Sequence, residues 1–313
     1  MIKKPPKNAV EIDTLSKTYL SQNGTPSTVA LNKVSLKVPE GSFFGLLGPN
    51  GAGKSTFINI LAGTVLKSSG SVNVWGFDLD KNPREVRASI GIVPQEVSMD
   101  PFFSPKDLLE LQAGLYGVKK TDRVTDAILK LVSLENHKNT YSRRLSGGMK
   151  RRLLIAKALV HQPPIVILDE PTAGVDVKLR KMLWENIKLL NEQGVTIILT
   201  THYLQEAEKM CNRIGILNKG ELVALDSTKN LIDRIQNKIV KFKLDKNIKI
   251  DIYELNGIKV ISNDNNTLNI SYEKNKLHIE EIINFIQKNN AKIYDISTND
   301  GDLEEVFISL TKN

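Results

Sequence analysis

Hydrophobic and polar positions follow two alternating patterns along the first three quarters of the chain. Short apolar runs rich in β-branched residues lie between turn-forming residues, and these runs predict buried parallel strands. Segments with apolar residues three and four positions apart separate the runs and predict helices. The predicted strands are Phe43–Leu47, Ile90–Val93, Ile165–Leu168 and Val195–Leu199. Such an alternation is typical of an α/β core.

Helical patterns dominate the stretch between Gln95 and Ser146. The apolar spacing predicts helices over Pro105–Leu115 and Asp122–Leu131, which indicates a small helical insert within the α/β core. A further helix is predicted over Lys54–Ala62, since Gly63 provides a natural stop.

The last quarter of the chain has a different composition. All but two of the 20 glycines lie before residue 239, whereas residues 239–313 hold 12 asparagines and a small excess of acidic side chains. We place a boundary near Asn237, after a helix-like segment at Thr228–Gln236, and predict a small α+β module beyond it. Its predicted strands are Ile239–Leu244, Lys259–Ile261, Leu268–Tyr272 and Lys292–Ile296, and its helices are Leu277–Lys288 and Leu303–Leu310.

Composition narrows the class of protein only moderately. Apolar side chains make up 41% of the 313 residues and charged side chains 25%, which is typical of a globular protein. The net charge of +8 fits nucleic acid, an anionic membrane surface or an anionic small molecule, and equally a basic soluble surface. The lone cysteine, Cys211, fits a reducing compartment. No apolar run reaches the roughly 18–20 residues of a membrane span, and no apolar segment follows the basic N-terminus. We therefore expect a cytosolic protein, or one bound peripherally at a cytosolic face.

A glycine-rich loop between the first predicted strand and its helix carries the clearest chemistry. Glycines let main-chain N–H groups close around phosphate oxygens, and the helix N-terminus adds positive potential there. In this pattern Lys54 reaches the β- and γ-phosphates, and the Ser55 hydroxyl is a ligand for Mg²⁺. The loop matches the P-loop pattern in full: Gly48, Pro49, Asn50, Gly51, Ala52, Gly53, Lys54, Ser55 and Thr56.

Two acidic residues end the predicted strand that begins at Ile165. In P-loop enzymes an Asp at such a strand end holds Mg²⁺, and Asp169 is placed for that role. The adjacent Glu170 is placed to polarise the attacking water. Without the P-loop, the same pair would fit an ordinary strand-to-turn junction with Asp as a cap.

A Ser-Gly-Gly helix start forms a second candidate anion site. Ser146 caps the helix that follows, and Gly147 and Gly148 leave its N-terminus open to an anion. Two phosphate sites in a chain with one P-loop suggest that the second serves a γ-phosphate held by another copy. Apolar residues at helical spacing predict the buried face, with Lys150, Arg151 and Arg152 on the other faces. The apolar positions are Met149, Leu153, Ala156 and Val160.

In this order the motifs resemble the ATP-binding cassette (ABC) ATPases, and residues 9–236 resemble one complete nucleotide-binding domain. The resemblance implies a P-loop NTPase cassette with a RecA-like core, an antiparallel β subdomain and a helical subdomain. Residues 237–313 would be a small C-terminal α+β extension. Tyr19 stands where the family places an aromatic ring on adenine, Gln95 resembles the Q-loop glutamine, and His202 resembles the switch histidine.

Two motifs depart from the commonest family pattern. Met149 replaces the glutamine that usually ends the signature at Leu145–Met149. Ala173–Asp176 resembles the D-loop, although Ser-Ala-Leu-Asp is more usual, and Asp176 is kept.

The resemblance implies ATP hydrolysis in a head-to-tail homodimer. Lys54, His202 and Mg²⁺ would surround the γ-phosphate, with Mg²⁺ held through Ser55, Gln95 and Asp169, and Glu170 would act as base or water orienter. Ser146, Gly147 and Gly148 of the second copy would complete the site. Catalysis would thus rest on Glu170, His202, Lys54 and Gln95, and the cofactors would be ATP and Mg²⁺.

Three further segments resemble the type-2 ABC exporter branch, which includes drug, antibiotic and polysaccharide exporters. These are Met149–Arg152, Thr201–Glu208 and Leu303–Phe307. The resemblance implies a peripheral protein at the cytoplasmic face of the cell membrane that powers a separate, dimeric, six-span permease. The aromatic patch Pro101–Phe103 is either part of the surface for that partner or core of the helical insert.

Other classes of ABC ATPase remain as alternatives. An importer ATPase shares all of this chemistry. A soluble nucleic-acid-associated ATPase fits the net charge, but no aromatic interleaving or nucleic-acid motif accompanies the basic residues, and we predict no nucleic acid partner. Only 50 residues separate Gln95 from Ser146, which excludes the long coiled coil of chromosome-maintenance ATPases.

Overall fold

A computed structural model describes residues 5–20, 26–172, 175–235, 237–247, 258–273, 276–299 and 302–312. The chain forms two compact units, residues 1–227 and 228–313, and the helix at Thr228–Asp233 lies in the second unit. The limits of an ATP-binding domain at 9–236 and of an extension at 237–313 stay predictions. No helix in the described ranges has the length and apolar character needed to cross a membrane.

The first unit alternates strands and helices along most of its length. In chain order its elements are β1 (Asn8–Tyr19), β2 (Thr28–Pro39), β3 (Phe43–Leu47), α1 (Lys54–Leu61), β4 (Ser69–Val74), β5 (Phe77–Asp78), α2 (Pro83–Ala88), β6 (Ile90–Val93), α3 (Pro105–Leu115), α4 (Thr125–Leu131), α5 (Gly147–Leu159), β7 (Ile165–Asp169), α6 (Val177–Glu192), β8 (Thr196–Thr200), α7 (Leu204–Met210), β9 (Arg213–Asn218) and β10 (Glu221–Ser227).

A six-stranded sheet forms the centre of this unit, in the order β10-β9-β3-β8-β7-β6. All neighbouring pairs are parallel except β10 and β9. The four predicted strands are confirmed, and β3 and β8 are buried along their whole length, as expected of strands covered on both faces. Because β3, β8, β7 and β6 run parallel, their carboxyl ends lie at one edge of the sheet, where ligands bind in such folds.

A second sheet is antiparallel, in the order β2-β1-β4-β5. Its inward side chains share one core with the central sheet and α1. Val10 and Leu31 of this sheet are fully buried there, together with Leu46 and Ile60 from β3 and α1. This sheet is the antiparallel β subdomain that the family resemblance implies.

The α-helices of the predicted insert between Gln95 and Ser146 are α3 and α4, and α5 follows directly after it. Helix α3 has the predicted bounds, because Ser104 caps it by accepting a hydrogen bond from the Asp107 N–H and Pro105 takes the first helical position. Helix α4 begins at Thr125, three residues later than predicted, since Lys120–Asp122 forms a short 3₁₀ turn instead.

The second unit is the predicted α+β module. Its elements are α8 (Thr228–Asp233), β11 (Asn237–Leu244), β12 (Ile258–Asp264), β13 (Thr267–Glu273), α9 (Ile279–Lys288), β14 (Ile293–Asn299) and α10 (Leu303–Thr311). The sheet is antiparallel in the order β12-β13-β11-β14. Helix α9 packs Ile282 and Ile286 against Val240 and Phe242 of this sheet.

Candidate nucleotide-binding site

The P-loop lies between the buried strand β3 and the first turn of α1, as predicted. Two of its glycines are required by the space around them. A Cβ at Gly48 would lie 2.4 Å from the Leu217 carbonyl oxygen, and a Cβ at Gly53 would lie 2.4 Å from the Ala30 carbonyl oxygen. Gly53 also has φ +105, which residues with a Cβ rarely adopt. The neighbouring strands therefore press on this loop and fix its course at the N-terminus of α1.

Lys54 is folded into the same loop. Its Nζ donates to the Gly48 carbonyl oxygen at 2.7 Å and to the Pro49 carbonyl oxygen at 3.1 Å. Burial lowers the pKa of Lys54, and the negative charges of Glu170 and Asp169 oppose that shift. The ammonium group is thus held by the loop that would enclose phosphates, close to both acidic side chains.

Tyr19 ends β1 beside the P-loop helix. Its hydroxyl oxygen lies 3.5 Å from Thr56 Oγ1, and its ring is partly exposed with the Lys17 Nζ 4.8 Å from the ring centroid. An exposed ring at this point can stack on a flat ligand held at the P-loop.

Asp169 is the last residue of β7 and faces β8. Its Oδ1 accepts a hydrogen bond from Thr200 Oγ1 at 2.5 Å, and the two residues are register partners across the parallel pair. Thr200 is fully buried, so the hydroxyl fixes the carboxylate from inside the core. Asp169 lines the same cavity as Ser55 and Gln95, and oxygen ligands of these kinds are the ones that Mg²⁺ prefers.

Glu170 connects two predicted catalytic side chains. Its Oε2 accepts a hydrogen bond from Gln95 Nε2 at 3.0 Å and lies 3.3 Å from His202 Nδ1. The Glu170 backbone has φ +48, a left-handed conformation that is uncommon for a residue with a Cβ. Its N–H donates to the Thr200 carbonyl oxygen at 3.0 Å. Strained backbone of this kind clusters at functional sites.

Several of these groups line one cavity of about 240 Å³, whereas Tyr19, Gly48, Pro49 and His202 are not among its lining residues. It is lined by residues 50–56 of the P-loop, by Thr28–Ala30, and by Gln95, Asp169 and Glu170. A larger cavity of about 720 Å³ elsewhere in the first unit is lined by none of the predicted site residues. Four separate segments of the sequence therefore meet at the carboxyl edge of the central sheet.

Ser146, Gly147 and Gly148 do not line that cavity. Ser146 is the N-cap of α5, as predicted, and its Oγ accepts the Met149 N–H at 3.2 Å. Ser146 and Gly147 are exposed. The signature residues thus lie outside the P-loop cavity of their own chain. Of the predicted D-loop, Ala173 and Gly174 lie outside the described residues.

The prediction that Arg151 and Arg152 lie on the exposed faces of α5 is wrong. Both are buried, with exposed fractions of 3% and 8%. Arg151 donates to main-chain carbonyls near Gln95 and Glu170, and Arg152 to those of Val132 and Ser133. A guanidinium group has five donors, so carbonyl acceptors can hold it inside a protein. The apolar run Leu153–Ala156 was the available signal, because a helix that is apolar on every side is buried on every side.

The fold and the cavity define a P-loop protein that binds a nucleoside triphosphate. A family model described as ABC transporter matches residues 31–173. The Nod factor export ATP-binding protein I of Cupriavidus pinatubonensis is 40% identical over 208 residues, which are 66% of this chain and 64% of that protein. The linearmycin resistance ATP-binding protein LnrL of Bacillus subtilis is 32% identical over 293 residues, 89% of this chain and 92% of that protein.

A solved structure of an ATP-binding cassette is also similar to this chain. A dimeric ATP-binding cassette in a post-hydrolysis state, bound to ADP and phosphate, superimposes with a TM-score of 0.62 at 29% identity. The match covers 70% of this chain and 98% of that cassette. The chain therefore belongs to the ABC transporter family.

Proposed function

We propose that this chain hydrolyses ATP between two copies of itself and so drives a separate membrane permease for export. The observation that carries the proposal is the convergence of Gln95, Glu170 and His202 beside the P-loop. Glu170 Oε2 lies 3.0 Å from Gln95 Nε2 and 3.3 Å from His202 Nδ1. A carboxylate held between two polar side chains can orient a water and accept its proton.

The residues present fit Mg²⁺. A hydroxyl, an amide oxygen and a carboxylate are all hard oxygen ligands, and Ser55, Gln95 and Asp169 supply one of each. Gln95 uses its nitrogen toward Glu170, and its amide oxygen remains the group that suits a cation. When bound, Mg²⁺ would neutralise charge on the phosphate oxygens.

Within one copy, the remaining roles follow from position. Lys54 would bring its positive charge to the β- and γ-phosphates. Glu170 would orient the attacking water, and His202 would hold Glu170 and the γ-phosphate together. Tyr19 would stack on adenine.

The signature residues support a two-copy site. An added Cβ at Gly147 would meet nothing within 4 Å, so the fold of its own chain does not require glycine there. We infer that the bare N-terminus of α5 at Ser146, Gly147 and Gly148 receives the γ-phosphate bound by a second copy.

The variant Glu170→Gln tests the hydrolytic role. We expect ATP binding to persist and turnover to fall by about 10²–10⁴-fold, the usual contribution of general acid–base catalysis. Size-exclusion chromatography with ATP should show a stable dimer. The control is Glu192→Gln, which removes an exposed carboxylate that lies 3.9 Å from Lys188. Wild-type turnover in Glu170→Gln would show that the assigned role is wrong.

A second variant tests the shared site. Gly147→Arg places a bulky side chain where the chain itself leaves open space. In the Glu170→Gln background we expect it to bind ATP as a monomer and to lose the ATP-dependent dimer. A dimer of unchanged stability would contradict the two-copy site.

A groove between the core and the helical insert supports a docking surface for the permease. A cavity of about 330 Å³ there is lined by residues of α1, β6, α3 and α5 and by Pro94 next to Gln95. Leu111 and Leu115, four residues apart on α3, are exposed, and Phe102 of the aromatic patch is 69% exposed. We infer that this groove, together with the exposed apolar side chains of α3, contacts cytoplasmic helices of a six-span permease dimer, with this chain at the cytoplasmic face of the membrane.

Leu111→Asp tests this surface, with Leu189→Asp as its matched control. The two leucines are 50% and 49% exposed on different helices of the first unit. We expect Leu111→Asp to stop co-purification of a multi-span protein from detergent-solubilised membranes while basal ATP hydrolysis stays unchanged. Equal co-purification of the membrane protein with both variants would contradict the proposal that this surface binds the permease. Recovery of nucleic acid in place of a membrane protein would favour the soluble alternative.

Relatives support export over import. One is a Nod factor export protein and the other a linearmycin resistance protein. Inside-out vesicles that contain this chain and its permease should take up cargo with ATP, whereas an importer would not.

A further inference from the structure

Arg151 is a buried cation that donates hydrogen bonds to the main chain of two segments of the candidate site. Its Nη1 donates to the carbonyl oxygens of Pro94 at 3.0 Å and Gln95 at 2.6 Å. Its Nε donates to the Pro171 carbonyl oxygen at 2.9 Å, and its Nη2 donates to the Glu170 carbonyl oxygen. One planar group therefore joins the segment of Gln95 to the segment of Glu170.

All these acceptors belong to the main chain. The side chains of Gln95 and Glu170 accept none of these hydrogen bonds, and they bond to each other at 3.0 Å. Burial lowers the pKa of Arg151, and the nearby charges of Asp169 and Glu170 oppose that shift. The carbonyl dipoles and the two acidic side chains together hold the positive charge in the interior.

The arginine also belongs to the helix that begins at Ser146. Arg151 is five positions after Ser146, which is roughly 7.5 Å along a helix axis. The rigid helix therefore links the exposed anion site at its N-terminus to the segments that carry Gln95 and Glu170.

We propose that Arg151 is a positioning residue that sets the separation of Gln95 and Glu170 and fixes both relative to α5. The proposal rests on the proposed ATP hydrolysis, because its consequence is the placement of the water-orienting carboxylate. Arg151 has no contact with the P-loop among its hydrogen bonds in the described residues, so binding of ATP to one copy depends little on it.

Arg152 is a matched control on the same helix. It is also buried, and its Nη1 donates to the carbonyl oxygens of Val132 at 2.8 Å and Ser133 at 2.7 Å. Those acceptors lie in the helical insert at the end of α4, away from Gln95 and Glu170. Loss of either arginine removes a buried guanidinium from α5, but only loss of Arg151 frees the catalytic segments.

The experiment compares Arg151→Met, Arg151→Lys and Arg152→Met in the full chain. The measurements are kcat and KM for ATP hydrolysis, ATP affinity at equilibrium in the absence of turnover, and the unfolding midpoint. For Arg151→Met we expect kcat to fall about 10²-fold, as for a misplacement of about 1 Å, with ATP affinity within about threefold. Arg151→Lys keeps the charge but not the planar fork, and we expect kcat at least about tenfold below wild type.

The Arg152→Met control decides whether the effect on kcat is specific to Arg151. We expect Arg152→Met to lower the unfolding midpoint about as much as Arg151→Met while kcat stays within about threefold of wild type. Equal losses of kcat in the two methionine variants would reduce Arg151 to a structural residue and overturn the proposal, as would full activity of Arg151→Lys. Should Arg151→Met fail to fold, Arg151→Lys decides alone.

The same assay separates this proposal from the proposed function. Glu170→Gln is measured in parallel. If wild type and Glu170→Gln have the same turnover, the proposal that ATP is hydrolysed at this site is wrong. If Glu170→Gln is inactive and Arg151→Met is fully active, only the positioning role is wrong.

Discussion

Replacing Gly53 by alanine should displace the P-loop as a unit. The Gly53 backbone has φ +105, and an added Cβ would lie 2.4 Å from the Ala30 carbonyl oxygen and 2.8 Å from Leu31 Cδ2. Ordinary contact begins at 3.4 Å, so the loop or β2 must move by about 1 Å. Ala30 lies on β2, the edge strand of the antiparallel sheet, but the adjacent Leu31 is fully buried in the shared core, and we therefore expect the loop to move rather than the strand.

Gly51→Ala separates the cost of the clash from the cost of backbone conformation. Gly51 also has a positive φ, +78, but an added Cβ there would meet nothing within 4 Å. A Cβ in the left-handed region costs about 1–2 kcal/mol, which both variants share. Overpacking adds about 1–3 kcal/mol for Gly53→Ala alone. We expect Gly53→Ala to be less stable than Gly51→Ala by about 2 kcal/mol.

Denaturant unfolding of the nucleotide-free chain measures this difference. Both tryptophans, Trp75 and Trp184, lie in the first unit, so their fluorescence reports the unit that holds the P-loop. The affinity of Gly53→Ala for ATP should also fall, because its phosphate-binding N–H groups move with the loop. Equal unfolding midpoints for the two variants would refute the steric reasoning.

Three further predictions concern other contacts of the first unit. Thr200→Val keeps the shape of the side chain but removes the 2.5 Å hydrogen bond to Asp169. We expect the free energy of unfolding to fall by about 1.5–3 kcal/mol. An unchanged free energy of unfolding would show that this hydrogen bond does not stabilise the fold. Burial lowers the pKa of His161 to about 4, so the unfolded chain binds its proton more tightly, and stability should fall as pH drops from about 6.5 toward 4. That loss is at most about 2 kcal/mol between pH 7 and 5, less with solvent screening, and unfolding of His161→Phe should show a shallower pH dependence over that window. Tyr19→Ala should weaken ATP binding by about tenfold or more through lost stacking on adenine, while Tyr19→Phe retains the affinity of wild type in an equilibrium binding assay.

The central sheet was accessible from the sequence because its strands are covered on both faces. A fully buried strand such as β3 or β8 is apolar at nearly every position, and its bounds follow from that run alone. The P-loop was accessible for a different reason, since few combinations of residues allow a main chain to enclose phosphate. Helix α4 shows the limit of periodicity: Asp122 fits the helical spacing, but the local backbone forms a 3₁₀ turn there.

The antiparallel sheet could be inferred only through the family resemblance. Its strands β1 and β2 carry repeated register shifts, and these irregularities obscure the alternation that marks a half-buried strand. The burial of Arg151 and Arg152 also could not be predicted from the sequence. Charge is the strongest signal for exposure, and Arg151 overrides it only because main-chain carbonyls from two distant segments surround it.

The strained backbone of Glu170 and the burial of Arg151 belong to one arrangement. A residue with a Cβ at φ +48 costs about 1–2 kcal/mol and persists only where its surroundings fix it. The Thr200 carbonyl oxygen accepts the Glu170 N–H at 3.0 Å, and Arg151 donates to the Glu170 carbonyl oxygen. Both main-chain groups of the residue are thus held while its carboxylate contacts Gln95 and His202. The turn after β7 directs that side chain into the cavity because neighbouring elements stabilise a conformation that the local sequence alone disfavours.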